Sequence, residues 1–145
     1  MDTLRTIHGH NKFLVLLLLA VTLVRLLTTW LGKKDYGKLD RALYGATLGF
    51  VGLQVLAGVA LIISLGFGPP HRMEHLGIML IAYATLHVPL RFKARPGPER
   101  ARIGVTCIAL AAALIGLGLF RLPFPFFPGK APAPAPAPAS TTPTH

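Results

Sequence analysis

The sequence predicts an all-α fold, a four-helix transmembrane bundle with an extracytoplasmic Pro/Ala-rich C-terminal tail. Three observations lead there. Four apolar runs, at about residues 13–31, 42–65, 76–92 and 103–120, each approach the roughly 20 helical residues that cross a hydrocarbon core. The 145-residue chain is 52% hydrophobic with a mean hydropathy of +0.57, which is membrane-like. Cations gather in the segments between runs one and two and between runs three and four, as they do in cytoplasmic loops. Residues 1–128 read as the transmembrane domain and 129–145 as the tail.

Arg5 and Lys12 precede the first run, as in a secretory signal. The run is too long for one, contains Arg25 and has no small-x-small cleavage site before Lys33, so it is read as a retained helix. A short connection over residues 32–39 makes the first two helices antiparallel neighbours. The second run is rich in small residues, including Gly45, Ala46, Gly49, Gly52 and Gly58. They allow close helix packing in lipid, and would equally let a flat macrocycle lie against the backbone. Gly66-Phe67-Gly68-Pro69-Pro70 ends this helix and delivers His71 to the outer interface; Pro96-Gly97-Pro98 makes the corresponding break on the inner side.

The fourth run, mostly Ala, Leu and Gly, offers no candidate ligand and reads as a packing helix. The Pro- and Phe-rich segment 122–128 suits the interface, where aromatic rings prefer to sit. Residues 131–139 alternate Ala and Pro, which predicts a polyproline-II spacer of about 25 Å. No chemistry is assigned to the tail or to His145. Cys107 is the single cysteine, so no intrachain disulfide forms.

A net charge of +10 invites a nucleic-acid reading, but its distribution argues against one. Lys33, Lys34, Lys38 and Arg41 fall in the first connection, and Arg91, Lys93, Arg95, Arg100 and Arg102 in the third. The opposite face carries Arg5, Lys12, Arg72, Arg121 and Lys130. The bias puts both basic loops in the cytoplasm and both termini outside, with the excess cations on anionic lipid headgroups.

With four crossings, the starts of helices one and three share a membrane face. His8 and His10 mark one start, and His71 and His75 the other. Imidazoles meeting at one depth suit axial ligation of a haem, with iron held by side chains from facing helices. His8 or His10 paired with His75 meets that condition. Arg5, Lys12 and Arg72 would then pair with the propionates. Two alternatives stand beside this. The histidines are simply wet at the headgroups, or His71 and His75, at i and i+4 with Glu74 between, hold zinc or copper with help from His8 and His10.

His87 lies 12 residues beyond His75, about 18 Å deeper along a straight helix, and cannot share its iron. It is expected to be a packing or hydrogen-bonded residue. Arg25 is expected to snorkel inward in a structural role, and Gln54 to bond another helix or a bound ligand.

Several short motifs, taken together, resemble a group of small four-helix bacterial membrane proteins described as cytochrome-b-like. They are Ile7-His8-Gly9 followed by Lys12-Phe13, then Arg25, and then Trp30-Leu31-Gly32 with Lys34, Tyr36, Lys38 and Asp40. Leu53-Gln54 with Gly58, Glu74-His75 with Met79, and Pro123-Phe124-Pro125-Phe126 complete the order. The similarity spans about residues 5–127. Phe13 stands where tryptophan is common, and His10, His71 and His87 are additional.

The resemblance implies haem b, with His8 and His75 as the iron ligands and Gln54 and Met79 beside them. Two axial imidazoles suit one-electron transfer, so the reading is an electron carrier in the bacterial inner (plasma) membrane, as a small subunit of a larger redox complex or a homo-oligomer. A haem-free subunit that docks other membrane helices, and an extracytoplasmic His-based metal-binding or transport protein, are the competing classes. No nucleophile constellation, phosphate loop or carboxylate pair supports hydrolysis or phosphoryl transfer.

Overall fold

The computed structural model describes residues 2–66 and 70–120. Residues 121–145 lie outside the described residues, and with them the interfacial Pro-Phe segment and the Ala-Pro tail. Among the described residues are four α-helices: α1 (Asp2–Leu31), α2 (Lys38–Leu65), α3 (Pro70–His87) and α4 (Gly97–Phe120). All four are long and apolar enough to cross a membrane, which makes the chain a multi-pass membrane protein by length and composition.

The helices begin earlier than the apolar runs because their first turns are polar. α1 starts 11 residues before its run, and Arg5, His8 and Lys12 therefore sit on helical turns. α2 starts at Lys38 because the Asp40 carboxylate accepts a 2.8 Å bond from the Gly37 backbone N–H, satisfying a donor that the helix start leaves open. α1 ends in a Schellman pattern, Lys34 N–H to Thr29 O and Lys33 N–H to Trp30 O, with Lys33 in the left-handed region at φ 50°. α3 yields to a 3-10 turn over Val88–Phe92, where Pro89 has no N–H to continue the α ladder.

Buried positions follow a four-three rhythm. They include Val15, Leu19, Thr22, Leu26 and Thr29 on α1, and Ala101, Gly104, Ile108, Ala111, Ile115 and Gly118 on α4, where Cys107 is buried beside them. That spacing is the seam of left-handed helix packing. α1 packs along α2 and α4, and α3 along α4 and, less extensively, α2, so α1 and α3 face each other across the diagonal.

Polar groups in the core are bonded in pairs across helices. The Thr22 and Thr47 hydroxyls lie 2.7 Å apart, and Thr47 also donates to Leu43 O at 2.9 Å. Tyr44 Oη donates to Leu86 O, one of the carbonyls that the end of α3 leaves open, at 2.7 Å. Near the α1–α2 connection, fully buried Asp40 accepts from Arg25 Nε and Thr29 Oγ1, both at 2.9 Å. Arg25 is thus structural as expected, but through an ion pair rather than by snorkelling alone.

Candidate functional site

The antiparallel order brings the start of α1, the end of α2 and the start of α3 to one end of the bundle. A cavity of about 440 Å³ opens there. Val55, Leu61, Ile62 and Leu76 supply apolar wall, while Arg5, His71 and Arg72 supply polar groups. His8 from α1, His75 and Met79 from α3 and Gly58 from α2 complete the lining. A second cavity of about 150 Å³ is lined from all four helices, including Lys12, Gln54 and Ile115. His8, His75 and Met79 line both spaces, so the two imidazoles reach one region from opposite corners of the bundle.

His75 is held by α4. Its Nδ1 lies 3.0 Å from the carbonyl oxygen of Gly118 and donates to it, so Nε2 is the ring nitrogen turned away from that bond. The bond depends on close approach. A Cβ placed on Gly118 would strike the Met79 methyl and stand 3.3 Å from His75 Nδ1. Helix four, a packing helix by composition, supplies a backbone acceptor that its side chains do not reveal. The available signal was a glycine in α4 near the depth of His75.

His8 is fixed by its backbone. Gln54 Nε2 donates to His8 O at 2.9 Å, while Gln54 Oε1 accepts from Asn11 Nδ2 at 2.8 Å. Gln54 therefore bonds another helix, as expected, with the Asn11 side chain as its second partner there. The His8 ring faces Gly58, where an added Cβ would come within 3.3 Å of its Cε1. His8 Nδ1 is buried and has no hydrogen-bond partner among the described residues.

The structure does not bring every expected residue here. His10 is exposed and its Nδ1 bonds Thr6 O in its own helix at 2.8 Å. Glu74 is exposed and lines neither cavity. Among the described residues no three His, Cys, Asp or Glu side chains form a group that could hold a metal ion. His87 bonds Tyr83 O at 3.0 Å and meets the Tyr83 ring edge-on, with centroids 4.5 Å apart, a hydrogen-bonded role as expected.

A cavity of this size, mostly apolar with a few convergent polar groups, is what a small-molecule or cofactor site requires. Its two imidazoles, from diagonal helices, are residue types that could hold a metal-bearing cofactor between them. No family profile, curated protein or solved structure matches the chain.

Proposed function

We propose that the chain is a membrane-embedded b-type cytochrome-like electron carrier of the cytochrome-b-like group it resembles. His8 and His75 hold the iron, and the protein serves as a small subunit of a larger redox complex. The observation that carries this reading is the shared lining of one cavity by two imidazoles from diagonal helices, with Arg5 and Arg72 on its wall. When bound, haem b supplies reversible one-electron exchange at its iron.

The chain's residues do the rest. The Gly118 carbonyl orients His75, Gln54 fixes the backbone of His8, and Gly58 leaves room beside the His8 ring. Arg5 and Arg72 offer charge to the propionates, and the aliphatic wall excludes water. The positive-inside bias sets this end of the bundle, both termini and the tail outside the plasma membrane, with the basic loops against cytoplasmic anionic lipid.

The test is the absorption spectrum of protein expressed with ample haem and purified in detergent, with metal analysis alongside. The reading expects a low-spin Soret band that disappears in His8→Ala and in His75→Ala but survives in His87→Ala. A colourless wild-type protein sinks it.

A second reading, a haem-free subunit that docks other membrane helices, draws on Gly45 and Gly49. Both are exposed on α2, with no described atom within 4 Å of an added Cβ.

A further inference from the structure

The two imidazoles are not held alike. His75 has its Nδ1 bonded to Gly118 O at 3.0 Å, and α3 packs along α4, the helix that carries the acceptor. A backbone carbonyl that takes the far N–H of a ligating histidine fixes both its tautomer and its ring orientation. His8 has no such partner: its Nδ1 is buried without one among the described residues. Nearby, His10 turns its own Nδ1 back to Thr6 O, four residues earlier; His8 makes no equivalent bond. Gln54 secures the His8 backbone but leaves the ring's orientation to the cavity.

We infer that His75 is the anchoring ligand and His8 the exchangeable one, so that a small neutral or anionic ligand (carbon monoxide, cyanide or imidazole) enters the site from the α1 side in place of His8. This rests on the haem reading proposed above and adds to it a chemical function, ligand admission at one defined face. Gly118 acts as a positioning residue through His75, because any side chain there pushes against His75 and Met79.

The experiment uses the full chain in detergent, loaded with haem, as wild type, His8→Ala, His75→Ala and Gly118→Ala. Circular dichroism reports helix content for each. His8→Ala is expected to keep its haem, shift it to high spin and bind carbon monoxide on reduction. His75→Ala is expected to retain haem about tenfold less well or worse, and Gly118→Ala to move the same way while both imidazoles remain present.

If His75→Ala loses helix content, Gly118→Ala decides. Its lowered haem retention with an unchanged helix signal supports the anchor, and wild-type retention overturns it. Equal loss of haem from folded His8→Ala and His75→Ala, or the reverse order, overturns the inference while leaving the haem reading intact. A wild type that binds no haem overturns both.

Discussion

Arg25 on α1 reaches across the first hairpin to Asp40 on α2, Nε to Oδ1 at 2.9 Å, with the Asp40 side chain 0% and the Arg25 side chain 34% exposed. The asymmetry orders the cost of breaking the pair. Arg25→Ala leaves a buried carboxylate with only Thr29 and the Gly37 N–H for company, and is expected to cost about 3–5 kcal/mol. Asp40→Asn keeps a hydrogen-bonding side chain in place. It leaves a cation that can extend toward headgroup water, and is expected to cost only about 1–3 kcal/mol. Unfolding in detergent measures both; the opposite order contradicts the pairing.

Tyr36, in the α1–α2 connection, is half-buried beneath Arg100, whose guanidinium carbon lies 4.1 Å from its ring centroid. Burial pushes the phenol above its ordinary value, while Arg100 pulls the other way. A phenol harder to ionise in the folded chain contributes stability that is fully present below about pH 10 and lost as pH rises through its folded value. Tyr36→Phe is expected to shallow the alkaline fall in unfolding midpoint. An unchanged alkaline slope assigns the fall to another group.

The connection over residues 32–37 and the segment 93–96 sit at the end of the bundle opposite the cavity, because four antiparallel helices leave no other arrangement. The cations in and beside them predict that this end is cytoplasmic. A reporter fused after Lys130 is expected to behave as extracytoplasmic. Cytoplasmic activity there would invert the topology and put the cavity on the inner face.

Much of this could be read from residue order alone. Four apolar runs gave the four helices, and antiparallel counting brought His8 and His75 to one end, where both line the same cavities. What escaped were the contacts made by backbone or by register. Gly118 contributes a carbonyl, which no side-chain inventory reveals. Asp40 meets Arg25 because the hairpin sets the end of α1 beside the start of α2, and the long Arg25 side chain, six residues before that end, spans the remaining turn to Asp40. Apolar runs also understate helix length, since they stop where the polar first turns begin. Those turns carry Arg5, His8 and His71.

Gly58 and Gly45 lie on the same helix, and together they separate a cofactor site from a docking surface. Gly58 faces inward, and its missing side chain is what allows the His8 ring to stand beside α2. Gly58→Leu places a branched side chain into that cavity wall and forces the His8 ring to move. Overpacking of this kind costs about 1–3 kcal/mol, and if the site is used as proposed the displaced ring is expected to weaken the low-spin Soret band in favour of a high-spin one, as in His8→Ala. Gly45→Leu points away from every described atom, so the bundle and any bound haem are expected to be unaffected. If instead the chain serves by docking helices, Gly45→Leu is the damaging change, because a bulky residue prevents close backbone approach by a neighbour. The absorption spectrum and co-purification, measured on both variants, divide the readings. A low-spin band lost with Gly58→Leu and kept with Gly45→Leu supports the electron carrier, whereas partners lost with Gly45→Leu from a colourless protein support the docking subunit.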